Sequence, residues 1–154
     1  WSKLMVNCMR TPVSAATGRG GNANDRDDHT RQLAVRLAGE AGRIGVALGY
    51  ELGLVSKIEP RLLIAAEQGD GEAMAKCEEQ LLTNTTFRND DNRPSMGQDM
   101  QKGRRTEIDY LNGLVVQKAA ELGLPVPTNK GITEVVQQIE RGKMRAGPNT
   151  VAHL

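Results

Sequence analysis

Aromatic side chains are scarce in this sequence: Trp1, Tyr50, Phe87 and Tyr110 are the only four among 154 residues. A surface that stacks nucleic-acid bases needs more than that. Neither sign of charge dominates, with 20 basic against 19 acidic residues and a formal net charge of +1. Balanced charge gives no long-range pull toward a polyanion, so nucleic acid is not an expected partner. No apolar run approaches the ~20 residues that cross a bilayer. The opening also lacks the basic start and apolar block of a signal peptide. A cytoplasmic protein with no membrane partner is the expectation. Cysteine is rare too. Cys8 and Cys77 lie far apart, without metal or redox spacing, and read as two free thiols in a reducing compartment. His29 and His153 stand in polar surroundings, with no cysteine or carboxylate at ligand spacing, so no metal is expected. No segment alternates like a strand, and none repeats.

What is present is helical periodicity. Leu4, Met5 and Cys8 recur at helical steps near the start, and Lys3 and Asn7, four apart, share a face. Pro12 predicts a break there, with a second short helix ending near Gly18. Arg19 to Asp28 reads as a loop of Gly, Asn and Asp. A long helix is predicted from about Asp28 to Leu48, with Leu33, Leu37, Ala41, Ile44 and Leu48 on its apolar face. Gly39, Gly42 and Gly45 make a separate row at steps of three. Each costs a helix about 1 kcal/mol against alanine, which points to another helix approaching closely. Pro60 suits the first turn of the next helix, and Asp70 can cap one in which Met74, Cys77 and Leu81 face inward. Asn84 to Pro94 reads as a polar loop and includes the glycosylation-like triplet Asn84-Thr85-Thr86. Ser95 with Gln98 forms a capping-box pattern, and Gly103 a stop. Ile108, Leu111, Val115, Ala119 and Leu122 predict a helix from about Thr106 to Leu122, with Gly123 at its end. Ile132, Val135, Val136 and Ile139 predict a last helix from about Thr128 to Arg141. Residues 142–154 carry no pattern and read as a frayed tail. The expected fold is all-α, a helical bundle over residues 1–141.

One motif misleads. Gly18-Arg19-Gly20-Gly21-Asn22-Ala23 fits a dinucleotide-binding pattern, but such a site needs a strand before the glycines and a helix after them. Helical residues precede it here, so a loop is the better account, and no cofactor-binding residue is assigned in the chain.

Other residues group where chemistry could occur. Glu107 sits at the predicted start of the 106–122 helix, where burial or a cation could tune its carboxylate and the helix dipole favours it. Ser95 opens a helix, the end that attracts anions. Lys3 and Asn7 place an ammonium and an amide one turn apart. Arg104 and Arg105 read as a solvated basic edge, and Asp109, Tyr110 and Asn112 as structural.

Three blocks of the chain resemble a known family. Trp1-Ser2-Lys3-Leu4-Met5-Val6-Asn7-Cys8 with Thr11-Pro12-Val13-Ser14-Ala15, then Pro94 to Gly113, then Leu124-Pro125-Val126-Pro127-Thr128-Asn129 look like the C-terminal domain of the ketopantoate reductases (2-dehydropantoate 2-reductases). The resemblance implies a helical substrate and catalytic domain, also like that of 6-phosphogluconate dehydrogenase-like proteins. It implies a partner Rossmann domain on the N-terminal side that carries NADP. The chain begins with Trp rather than Met and looks cut from something longer. By the same resemblance Lys3 is the general acid, Glu107 partners Lys3 or the substrate hydroxyl, and Asn7 and Ser95 contact a 2-oxo acid. Reducing such an acid requires a proton at the carbonyl oxygen and a held carboxylate. Thr11 departs from the pattern. Many members have an asparagine there, and a threonine is shorter, with one donor. Asn22 could match a further asparagine of the family. Two other readings stand beside this one. The chain could serve a different branched 2-oxo acid, or be a non-enzymatic helical module that binds a partner or forms a homodimer.

Overall fold

Two long helices, α1 (Ser2–Thr17) and α3 (Asp28–Ala47), pack against each other and carry the molecule. The computed structural model describes residues 1–85 and 92–154. Around this pair lie α2 (Gly21–Arg26), α4 (Pro60–Glu67), α5 (Gly71–Thr85), α6 (Ser95–Gln101), α7 (Asn112–Leu122) and α8 (Pro127–Glu140). No strand occurs among the described residues, only an isolated bridge between Val55 and Ile58. The all-α helical bundle read from the periodicity is the observed architecture.

The apolar stripes meet in two cores that share α1 and α3 as walls. Met5, Cys8 and Met9 pack with Ala38, Ile44 and Leu63 in the first. Val13 and Ala16 pack with Leu33, Leu37, Ile108 and Ile132 in the second. Each fully buried aliphatic side chain stabilises the fold by about 1.5–3 kcal/mol. The glycine row of α3 is a close approach. A Cβ on Gly39 would strike the Leu63 carbonyl, and one on Gly45 would strike the Trp1 ring. Trp1 also donates from Nε1 to the Ala41 carbonyl at 2.7 Å.

Several local expectations are corrected. Pro12 does not break the first helix, and α1 runs through it. A proline deprives the carbonyl four residues earlier of its helical partner. Here that carbonyl is Cys8's, and Asn112 Nδ2 donates to it at 3.1 Å. The 19–28 stretch is not all loop, because α2 forms within it. The Thr30 hydroxyl donates to the Asn24 carbonyl at 2.6 Å, and Arg31 Nη1 donates to the Asp25 carbonyl at 3.0 Å, so α3 holds the short helix in place. Pro94, not Ser95, takes the N-cap of α6, and no side-chain cap bond forms there. Gln98 Nε2 donates instead to the Arg93 carbonyl. The 106–122 helix is split: a 3-10 turn (Ile108–Tyr110) precedes α7, which starts at Asn112. Asn84 and Thr85 belong to α5. Asn84 Nδ2 donates to the Ser56 carbonyl at 3.0 Å, while Thr86 and Phe87 lie outside the described residues.

The tail does not fray. A 3-10 turn (Pro148–Val151) docks on the end of α1, where Gly147 N and Thr150 Oγ1 donate to the Ala16 carbonyl. Val151 is fully buried in the second core. Orphan carbonyls at a helix end need such donors, and one apolar residue anchors an otherwise polar segment. Other stop signals hold. Gly18 and Gly123 close α1 and α7 in the left-handed region at φ 69° and 67°, and Asp70 Oδ1 accepts from Ala73 N at 3.0 Å.

Candidate functional site

Helical elements meet around polar side chains in two places, and two patterns result. One is sealed. Glu40 of α3 is buried, and its carboxylate accepts from Thr128 N, Asn129 N and Asn129 Nδ2, each at 2.8 Å. The carboxylate thus caps the N-terminus of α8, the end where backbone N–H groups are unpaired and the dipole favours an anion. Asn129 Oδ1 accepts from Asn112 Nδ2 at 2.9 Å, which ties α7 to α8 and, through Cys8, to α1. Asn112 Oδ1 is buried without a partner among the described residues, and the other groups are spent on one another.

The other pattern is open. A hollow of about 300 Å³ lies between α1, α2 and the entry to α6. Asn7, Arg10 and Thr11 of α1 line one wall, with Asn22 of α2 and Ser95 of α6 around them. The size is that of a small-molecule site. Asn7 is half-buried and Ser95 exposed. Because α6 is capped at Pro94, the Ser95 hydroxyl is not used as a helix cap. The Thr11 hydroxyl donates back to the Asn7 carbonyl at 2.9 Å, within its own helix. Asn22 is buried.

The structure therefore brings Asn7 and Ser95, far apart in sequence, to one hollow. It does not bring Lys3 or Glu107 to the lining. Lys3 is exposed one turn before Asn7 on the same helix, at the end where Ser2 Oγ accepts from Gly53 N at 2.9 Å. Glu107 is exposed, between the buried residues Thr106 and Ile108.

Arg10 is the wall residue that sequence reasoning missed. Its Nη1 lies 2.8 Å from Asp25 Oδ2 with little exposure of either side chain, and its Nε is buried without a hydrogen-bond partner. Its position three residues after Asn7, on the same helix face, was the available signal. A hydroxyl, an amide and a guanidinium around a small hollow can orient a carboxylate or a carbonyl. Neither cysteine suits nucleophilic work. Burial pushes the Cys8 thiol up to about 12 and that of Cys77 up to about 11, the latter helped by Glu78, so the reactive thiolate is suppressed.

The glycine-rich segment offers no nucleotide site. Gly18 ends α1 and Gly21 opens α2, so the segment joins two helices, whereas a dinucleotide site joins a strand to a helix. No helix among the described residues is long and apolar enough to cross a membrane.

Comparison with known proteins gives a consistent result. The 2-dehydropantoate 2-reductase of Archaeoglobus fulgidus is 26% identical over 142 residues, which is 92% of this chain and 40% of the relative. That of Mesorhizobium japonicum is 29% identical over 144 residues, 92% of this chain and 37% of the relative. The chain thus spans about two-fifths of the length of the curated relatives it matches. Among solved structures, a ketopantoate reductase from Ralstonia eutropha JMP134 superposes with a TM-score of 0.69 at 25% identity, covering 93% of this chain and 41% of that one. A D-mandelate dehydrogenase, solved with NADH and anilino(oxo)acetate, shares the fold with a TM-score of 0.68 at 22% identity, covering 92% of this chain and 40% of that one. The family profile described as "Ketopantoate reductase PanE/ApbA C terminal" matches residues 1–140, and the chain belongs to that family.

Proposed function

We propose that this chain is the substrate-binding and catalytic part of an NADPH-dependent reductase that converts 2-dehydropantoate to pantoate. The observation that carries the reading is the shared hollow: in a chain of this family, Asn7 and Ser95 wall one small polar cleft. Asn7 and Ser95 bind the 2-oxo acid there. Lys3, one turn from Asn7, is the general acid that protonates the carbonyl oxygen, and Glu107 partners that ammonium or the substrate hydroxyl. NADPH supplies the hydride and is held by a Rossmann domain on the N-terminal side, since no strand-to-helix glycine turn for it occurs among the described residues. Closure of the Rossmann domain over this face shields from water a substrate seated on Asn7 and Ser95, one helical turn from Lys3.

The test is kinetic. The chain is joined to the nucleotide-binding domain of its own gene, and NADPH absorbance is followed with ketopantoate. Lys3→Ala is expected to lower kcat by about 10²–10⁴-fold, the usual contribution of a positioned acid. Unchanged turnover in Lys3→Ala would remove the assigned role. Comparing kcat/KM across other branched 2-oxo acids decides the substrate. A homodimer is a further part of the proposal, supported by the exposed apolar residues Val46, Tyr50 and Leu54 at the end of α3 and beyond. Light scattering of the purified chain tests it.

A further inference from the structure

A second hollow, of about 590 Å³, lies between the turn that follows α6 and the last turn of α8. It shares no lining residue with the Asn7–Ser95 cleft. Four guanidiniums line it: Arg104, Arg105, Arg141 and Arg145. We propose that this hollow binds the phosphoryl groups of a small organophosphate, at a site separate from the cleft. The inference does not rest on the reductase reading.

The charge there is uneven in a way the composition does not predict. The whole chain carries a formal +1, yet four arginines face only two carboxylates in this hollow, those of Asp109 and Glu140. One is spent inside the hollow, on Arg105, and the other on a backbone N–H. Asp109 accepts from Arg105 at 3.2 Å and from Gln137 Nε2 at 2.7 Å. Glu140 Oε1 accepts from Thr106 N at 2.6 Å. Arg104 and Arg145 form no ion pair among the described residues, and Arg141 acts on Asp109 only through its field.

Local structure sets the guanidiniums around the hollow. Gly103 adopts φ 63° and turns the chain after α6, which places Arg104 at the rim. Arg141 is the C-cap of α8 and offsets the partial negative charge of that helix end. That dipole accounts for Arg141 alone. It gives no reason for Arg104 and Arg145 to line the same space. Between the charges, Met100 and Ile139 supply a half-buried apolar floor. Planar guanidiniums around a phosphoryl group, with an apolar body beneath, suit a small phosphate ester or diphosphate.

The test uses inorganic pyrophosphate as the probe. Calorimetric titration of the 154-residue chain is expected to give saturable one-to-one binding that weakens as salt is raised. The double variant Arg104→Gln, Arg145→Gln is expected to bind about tenfold more weakly or worse, since charge-assisted bonds to phosphate are lost. Lys76→Gln, an exposed charge on α5, is expected to bind like the parent. The amide NMR signals of Gly103 and Ala146 in the parent chain report the location even if the double variant folds poorly. Absence of saturation, an equal loss in Lys76→Gln, or shifts centred on Gly21 and Ser95 would each overturn the proposal. Adenosine diphosphate and butyl diphosphate, titrated side by side, tell whether a nucleotide or a simple alkyl phosphate is the better source of the bound group.

Discussion

The sealed junction at Glu40, Asn112 and Asn129 and the open cleft at Asn7 and Ser95 use the same kinds of side chain to opposite ends. At the junction the Glu40 carboxylate and both donors of Asn129 Nδ2 are occupied, and four helices are fixed relative to one another. At the cleft, Ser95 is exposed and uncapped, and Asn7 faces a hollow. A buried polar network paired at all but Asn112 Oδ1 stabilises one arrangement of helices. An unsatisfied polar pair on a concave surface is available to a ligand. Residue type does not separate the two regions. Partners do.

The sharpest way to break the comparison is at the junction. Glu40→Ala strips three N–H groups of their acceptor, two of them at a helix N-terminus, and is expected to destabilise the chain by about 3–5 kcal/mol. Chemical denaturation measures this. A loss under 1 kcal/mol would mean that water replaces the carboxylate and the junction is not sealed. Asn112→Ala comes next, at about 2 kcal/mol, because the Cys8 carbonyl and Asn129 Oδ1 both lose a donor. A double-mutant cycle with Pro12→Ala sharpens the point. Alanine restores an N–H that can reach the Cys8 carbonyl, so the Asn112→Ala loss is expected to shrink in that background. Strict additivity would count against the idea that Asn112 repairs the proline gap.

The cleft is expected to respond differently. In the reductase proposed above, Ser95→Ala should raise KM for the 2-oxo acid about tenfold, the effect of one lost bond to a charged group. The melting temperature should hold, because the hydroxyl does not cap α6. A fall in stability with no kinetic change would move Ser95 into the sealed class. The smallest effect belongs to a helix cap outside both regions. Asp27 accepts from Thr30 N at 3.0 Å at the start of α3. That bond, followed by the Thr30 hydroxyl and then by the hydrogen bond and field of Arg19, holds its carboxyl below the usual range. A depressed folded pKa means that the stabilisation is complete above the ordinary carboxylate value near ~3.9 and fades as pH falls through the lower folded value. Asp27→Ala should cost about 1 kcal/mol at neutral pH. Its melting curve should converge on the parent's in acid.

Long-range partners explain what the sequence did and did not disclose. The α3 span and the stops at Gly18, Gly103 and Gly123 were legible because each depends on backbone geometry within a few residues, and the glycine row because its helical cost called for a close neighbour. Pro12 misled because its missing bond is repaired from Asn112, a hundred residues on. The α2 turn was missed because α3 side chains hold it. At the site, Asn7 and Ser95 were named from motif blocks, and their convergence follows from α1 and α6 packing side by side. Arg10 went unnamed because its interest lies in burial beside Asp25, which only the folded chain creates. Lys3 and Glu107 remain assignments by resemblance, since neither lines the hollow.

The seat of Val151 has a practical consequence. The stretch matched by the family profile stops at residue 140, and trimming the polypeptide there would be a natural simplification for expression. It would also pull a plug from the second core and strip the Ala16 carbonyl of two donors. The exposed socket would lie beside Ile132 and Leu33, a greasy opening of the kind that makes shortened proteins stick to one another.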